Sequence, residues 1–544
     1  MTTRAVRAQE LRGTVREAAT GAPVPGAVVL LLDSTETSRA RTITDENGVY
    51  RVIASKWVRR LRVVRIGFRP TELALAPIVN DVITTDVTMT AIPVLLEPVR
   101  VKSGATCPKR DDRLAALSLL EQARAGLLAT VVAREARPAA IVRVHYSSRY
   151  SLIPERVEQT SVFVDSTDTT HVSFTAPRSA AEFVRHGFAV DEGGETTFDG
   201  PDAETLLDDD FRDGYCFQLR DRVPTRPNQV GLGFMTGTTE RGRVDIDGTL
   251  WIDTVARQLK DIEFAYVNLP MNLLAMHPGG VVHFRELANR VVIVDRWSFR
   301  LPRALARSPA NFGELVNAPV AVQMTGAVIA SADWPGGLQW KAPLGSLRLE
   351  AHDASGSSVV GRTMALLNTN FRAVLDSTGT AIIDRLVPGA YAGVVRDTEL
   401  DSIQIAIKTT LAFTISDTET VVAQATVPTA AAYIASRCRL ASIPSTGPGE
   451  FLIVGRMFDA ENKPLAATTW KLARGGTGFV DAWSQTTGDD GIFEFCGGDL
   501  HVGDQVNIEA RKSATDAPIT QTLQLRGPLT VVRLTAPAAL KPEP

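Results

Sequence analysis

Cysteine, histidine and long apolar runs are scarce in this chain, and each scarcity excludes something. Four cysteines stand among 544 residues. None lies in a C-x-x-C pair, which argues against zinc ribbons and thioredoxin-type redox work. Seven histidines (His145, His171, His186, His277, His283, His352 and His501) are scattered, with no H-E-x-x-H or other metal-ligand spacing. No segment reaches the roughly 18–20 uninterrupted apolar residues of a membrane span. An excess of one charge is lacking too. A net charge of -3 and a pI of 6.2 give no global attraction to nucleic acid or to an anionic bilayer. The basic run Lys56 to Arg62 is interrupted by Trp57, Val58 and Leu61, so it reads as a strand with one solvated face. There is no G-x-S-x-G elbow, Walker loop or Ser-x-x-Lys motif, and Gly231 to Gly237 lacks the βαβ context of a dinucleotide site. No catalytic residue, metal ligand or cofactor site is identified.

What the chain does have is a recurring turn. Thr44-Asp45-Glu46-Asn47-Gly48 runs straight into the alternating stretch Val49-Tyr50-Arg51-Val52. A similar phrase returns at Asp376 to Ile382, and again at Thr487 to Phe495. Asp and Asn side chains fold back on their own backbone there, and glycine takes the positive φ of a tight turn. Three such turns in a chain long enough for three or four domains imply three copies of one small β-module.

The first copy spans residues 10–90, with short strands and turn signals about every ten residues. Gly13, Val15, Gly21, Pro23, Val24, Pro25, Gly26, Ala27, Val29, Thr44, Asp45, Gly48, Tyr50, Gly67 and Phe68 form a linear pattern over this stretch. That pattern resembles the carboxypeptidase regulatory-like domain. The resemblance implies a prealbumin-like, carbohydrate-binding-like β-sandwich with no catalytic residues of its own. Residues 1–9 are expected to be disordered or the remnant of a leader, since Ala8-Gln9 looks like the far side of a cleavage site. Residues 91–109 read as a linker.

From Asp111 the spacing of Leu114, Leu117, Leu120, Leu127, Leu128 and Val131 predicts an amphipathic helix ending near Glu135. An antiparallel meander follows, so residues 110–303 are read as a helix plus sheet domain. The phrases around Gly248-Thr249-Leu250-Trp251, Leu259 to Tyr266 and Trp297-Ser298-Phe299-Arg300 are similar to periplasmic lipoprotein carriers, which implies a curved sheet wrapped around the helix. A second sandwich is placed at 321–427, a third, regulatory-like, at 448–535, and a disordered tail at 536–544. The fold class is thus mainly β, with several Ig-like or prealbumin-like sandwiches plus a central antiparallel curved sheet packed on one amphipathic helix.

Few residues are candidates for a site. Cys107 and Cys216 bracket the central region, while Cys438 and Cys496 flank most of the last module; these two disulfides are expected. Trp334 and Trp340 bracket Pro335-Gly336-Gly337 and are candidates for stacking on a sugar ring, with buried core tryptophans as the alternative. Asp199, Asp202, Glu204, Asp208, Asp209 and Asp210 form the densest acidic run; it lacks calcium-loop order and reads better as helix-start acids plus a solvated loop. His277 and His283 flank a Pro-Gly-Gly turn that would bring them together across a hairpin, although ordinary surface or core histidines are the simpler reading. The expected function is that of a non-enzymatic, exported, multidomain binding or structural protein of a bacterial envelope, periplasmic, outer-membrane-associated or extracellular. Carbohydrate binding by the sandwich loops, or lipid carriage by the central sheet, is the alternative. The expected partner is a glycan or an envelope protein, not nucleic acid.

Overall fold

The computed structural model describes residues 9–76, 82–92, 110–136, 138–152, 155–167, 178–192, 195–237, 243–288, 290–305, 318–335, 337, 339–405, 408–416, 418–440, 451–475, 483–497, 499–513 and 517–536. The leader remnant (beyond Gln9), the linker (beyond Ile92) and all but Ala536 of the tail lie outside them. The chain divides into two compact units, residues 1–343 and 344–544.

The first unit opens with a sandwich. Its strands are β1 (Gln9–Glu17), β2 (Val28–Leu32), β3 (Ser38–Ile43), β4 (Val49–Ala54), β5 (Arg60–Val64), β6 (Thr71–Ala74), β7 (Val82–Thr84) and β8 (Val87–Met89). β1 pairs antiparallel with β4 and parallel with β7 and β8, and the second sheet runs β3-β2-β5-β6. The alternating residues Leu11, Val15, Tyr50 and Val52 meet Val29, Leu31, Leu61 and Val63 in the core between the sheets.

Helix α1 (Arg110–Ala136) follows. By length and composition Ala116–Ala136 could cross a membrane, yet most of it is buried inside the fold. Leu119, Leu120, Leu127 and Val132 share one core with Ile262, Phe264 and Phe284 of the central sheet and with Val28, Ile43, Val64 and Ile66 of the sandwich. Burying such side chains stabilises by about 1.5–3 kcal/mol each. Polar ties fix the same contact: Gln122 accepts from the Gly67 amide at 2.6 Å, and Arg41 grips Glu135. The helix is thus covered on two sides, not on the single face its leucine spacing suggests.

The central sheet is antiparallel and large. Its members are β9 (Ala140–Leu152), β10 (Glu155–Thr167), β13 (Tyr215–Leu219), β14 (Gln229–Thr236), β15 (Asp245–Asp253), β16 (Gln258–Val267), β17 (Gly279–Glu286), β18 (Val292–Leu305), β19 (Ala318–Asp333) and β20 (Gln339–Lys341). The order is β10-β9-β19-β18-β17-β16-β15-β14-β13, with β20 beside β19. A hairpin of β11 (Ala189–Glu192) and β12 (Glu195–Phe198) and four short helices complete the unit. The helices are α2 (Ala180–His186), α3 (Ala203–Leu207), α4 (Asp209–Gly214) and α5 (Met271–Leu274). One boundary needs correction. Residues 318–341 do not begin the second sandwich, because β19 lies inside the central sheet, hydrogen-bonded to β9 and to β18.

The second unit holds two sandwiches. One is built from β21 (Gly345–His352), β22 (Thr363–Leu366), β23 (Arg372–Val374), β24 (Thr380–Leu386), β25 (Gly389–Arg396), β26 (Lys408–Ile415) and β27 (Thr420–Thr426). The other uses β28 (Phe451–Phe458), β29 (Thr469–Arg474), β30 (Trp483–Thr486), β31 (Ile492–Gly497), β32 (Gln505–Arg511), β33 (Ile519–Gln524) and β34 (Leu529–Thr535). Two helices, α6 (Thr398–Ser402) and α7 (Ala430–Arg437), lie against β34 and, for α7, β28. Leu400, Ile403 and Ile434 pack there on Leu452, Val454 and Cys496.

All three sandwiches share one wiring. The first strand pairs antiparallel with the fourth and parallel with the end of the module, as β1–β4 with β7 and β8, β21–β24–β27 and β28–β31–β34. The other sheets run β3-β2-β5-β6, β23-β22-β25-β26 and β30-β29-β32-β33. The recurring turn sits at the same place each time. Gly48, Gly379 and Gly491 have φ of 73, 76 and 69°, and their carbonyls accept from Val15, Ala351 and Met457 of the first strand. Asp45 and Asp376 each take two backbone amides at the turn. The third copy has Gly488 in that position; the Gly491 amide donates to the Gly488 carbonyl, and Asp490 takes the Ile492 amide instead.

Candidate functional site

The side chains that converge most densely lie on the central sheet, on the face away from α1. Leu259, Ile262, Phe264 and Tyr266 of β16 and Val282 and Phe284 of β17 belong to the core shared with the helix. Strand alternation therefore sends Asp261, Glu263, His283 and Arg285 to the opposite, open face. Two bulges tune this face. Trp251 opposes Asp261 while Ile252 opposes Leu259, leaving Lys260 unpaired. In β18, Val294 opposes Phe284 and Arg296 opposes His283, so Asp295 is the extra residue and is turned beside the imidazole.

Asp295 is buried and accepts from His283 Nδ1 and, at 2.6 Å, from Arg285 Nε. Burial pushes its carboxyl up, but His283 and Arg285 outweigh it and hold the group below its usual 3.8. An ionised Asp295 places the imidazole proton on Nδ1. His283 Nε2 then faces Asp261 Oδ1 at 3.9 Å, beyond hydrogen-bond reach. The other oxygen of Asp261 takes Arg226 at 2.7 Å. Arg226 also binds Glu263 and lies 4.8 Å from the Trp251 ring centre, while Trp251 Nε1 donates to Glu263 at 2.9 Å.

A cavity of about 270 Å³ opens here, lined by Tyr146, Asp261, Val281, His283, Arg296, Trp297, Ser298 and Val328. Burial raises the Tyr146 phenol above its ordinary value, a shift that its hydrogen bond with Ser298 opposes. A second recess of about 430 Å³ shares Val281 and Ser298 and is bordered by Leu274, His277 and Arg300. The arrangement offers neutralised carboxylates, an imidazole edge and aromatic walls. It is not a Ser-His-Asp relay, because His283 Nε2 faces a carboxylate, not a serine hydroxyl.

Several expected site residues stand elsewhere. Trp334 is 8% exposed and belongs to the core around α1, so it is no stacking surface. The chain leaves β19 there and tucks the indole inward, whereas Trp340 on β20 stays half-buried at the sheet margin, 6.0 Å from Arg285. Trp334 and Trp340 therefore form no exposed pair. His277 precedes β17 in a left-handed conformation and His283 lies within that strand, so the two do not face each other across a hairpin.

The acidic run consists of helix-start acids and ion pairs. Asp202 and Asp208 cap α3 and α4, while Asp199, Glu204 and Asp209 meet Arg178, Arg134 and Arg124. No group of three metal-binding side chains converges among the described residues. Cys438 and Cys496 are joined by a disulfide with Cα atoms 5.7 Å apart. It ties the end of α7 to β31, and Arg437 beside it grips Glu494. Cys216 is disulfide-bonded as well; Cys107 lies outside the described residues. The His283 cluster was missed in sequence because its members come from different strands, and only register and two bulges bring them together.

Residues 10–90 match the model of the carboxypeptidase regulatory-like domain and form a domain of that family. No curated protein matches the chain. Among solved structures, the minor pilin of Streptococcus agalactiae is similar at 15% identity, over 37% of this chain and 99% of that one, with a TM-score of 0.14. The Bacillus anthracis TIE protein is similar at 10% identity, over 73% of this chain and 83% of that one, with a TM-score of 0.15. The dioxygenase domain of a dioxygenase–carbohydrate-binding fusion from Streptomyces sp. SirexAA-E is similar at 19% identity, over 18% and 85%, with a TM-score of 0.14. At such scores these likenesses carry no argument about function.

Proposed function

We propose that this is a non-enzymatic, exported scaffold and binding protein of a bacterial cell envelope. The observation that carries the reading is the threefold recurrence of one sandwich wiring, its first copy a regulatory-like domain. Such modules fold around their own cores and offer sheet faces and loops to partners. The Cys438–Cys496 disulfide supports export, since cytosolic thiols are kept reduced. At the open face Asp261, Glu263 and Asp295 are each matched by arginine or histidine, which suits holding a ligand better than moving protons. Fractionation of the native cells tests the reading. The chain is expected in the periplasmic, outer-membrane or extracellular fraction, and a wholly cytosolic pool overturns it.

Carbohydrate binding is the second reading, moved from the sandwich loops to the open face. The unbridged gap between His283 Nε2 and Asp261 Oδ1, inside a cavity walled by Tyr146 and Trp297, supports it. With the proton on Nδ1, Nε2 and the carboxylate oxygen both accept, and two neighbouring sugar hydroxyls would supply the two donors. Glycan-array binding that falls with Asp261→Asn and with His283→Ala is expected; binding to no glycan overturns this second reading. Lipid carriage fits less well, because Leu120, Leu127 and Ile262 share one packed core where a lipid would lie.

A further inference from the structure

The first sandwich carries a cost on one face that folding does not explain. Arg12 of β1 and Arg51 of β4 are directly opposed in the antiparallel register and both are exposed. Like charges placed so are destabilising, and neither guanidinium has a carboxylate partner among the described residues. Two residues along, Glu10 lies between Ile53 and Val82, which are 60% and 42% exposed. Past the end of β4 come Lys56 and Trp57; Trp57 is 62% exposed, with Lys56 Nζ 4.9 Å from its ring centre. Arg59 is exposed and donates only to the Lys56 and Val58 carbonyls. Arg12 and Arg51 thus share the β1/β4 face with Glu10 and, farther along β1, with Asp86 held by Thr14, while the chain just past β4 adds Lys56 and Arg59; three exposed apolar side chains are interleaved with these charges.

We propose that this face docks on an anionic phospholipid surface. Charge complementarity selects an anionic partner, and the apolar component selects a bilayer over a soluble polyanion. Tryptophan with neighbouring cations is the pairing favoured at headgroup level, where the ring enters the interface and the charges meet phosphates. The outer face of the second sandwich provides the contrast. There Arg348 sits between exposed Ile382 and Val422, but it is paired with Glu350 at 3.1 Å and no tryptophan stands beside it. The inference concerns a surface separate from the His283 cavity and holds whichever ligand that cavity takes.

The test is co-sedimentation of the full chain with phosphatidylcholine vesicles, with and without about one-third phosphatidylglycerol, at about 0.15 M salt. Binding is expected only with the anionic lipid. A single basic residue near such a surface contributes about fivefold, so Arg12→Ala with Arg51→Ala should weaken binding about thirtyfold. Trp57→Ala should weaken it about tenfold. Arg348→Ala on the second sandwich should leave it unchanged. All these side chains are exposed, so unaltered thermal melts of the variants separate lost docking from lost folding. Absence of sedimentation with anionic vesicles overturns the proposal. So does unchanged binding in the double arginine variant, or equal competition by a soluble acidic polysaccharide, which would make the partner a polyanion and not a bilayer.

Discussion

Replacing Gly48 by alanine tests the shared turn most sharply. The residue has φ 73°, and a Cβ there would lie 2.6 Å from the Val15 carbonyl oxygen. That oxygen already accepts the Val24 amide, so it cannot simply swing away. A left-handed alanine costs about 1–2 kcal/mol. Relieving the contact by shifting β1 or the turn adds about 1–3 kcal/mol, for a total of about 2–5 kcal/mol. Gly21 is the matched control: its φ is 68°, but a Cβ there would meet nothing within 4 Å. Gly21→Ala should therefore show the backbone cost alone. Hydrogen exchange followed by mass spectrometry reads the difference locally, with each 1.4 kcal/mol appearing as tenfold faster exchange in β1 and β4. Equal loss of protection in the two variants would refute the close-approach argument.

Three further outcomes follow from the geometry. Trp334→Ala should cost about 3–5 kcal/mol by urea denaturation, as a core truncation does, while Trp340→Ala at the sheet margin should cost clearly less. Cys438→Ser with Cys496→Ser opens a loop of 58 residues and should lower stability by about 4 kcal/mol; an unchanged urea midpoint would contradict this. The Asp295 carboxyl is held below 3.8 in the folded state. Its contribution is therefore complete above about pH 4 and is lost as pH falls through the lowered value. Asp295→Asn should flatten that acid limb of the stability profile, and an identical limb in both proteins would remove the His283–Asp295–Arg285 contact from the explanation.

What was legible in the sequence was local. The Asp45 and Asp376 turns are written in a few consecutive residues, and the leucine spacing of α1 lies within one helix. The wiring was not legible, because the parallel pairing of β1 with β7 or of β28 with β34 joins distant segments. The second buried side of α1 was hidden for the same reason, since Val28, Ile43, Val64 and Ile66 come from another module. The His283 site depends on register. Asp295 is aimed at the imidazole only because β18 carries one residue more than β17 at that point. Trp334 and Trp340 looked equivalent beside a Pro-Gly-Gly loop, but one packs on the core around α1 and the other lies on an edge strand.

Thiol accounting on the protein taken from its native cells tests the exported, oxidised state most directly. Alkylation under non-reducing conditions should modify neither Cys438 nor Cys496, and a peptide pair joined through them should be recovered by mass spectrometry. Four alkylatable cysteines in freshly isolated native protein would contradict export to an oxidising compartment, and with it the envelope role.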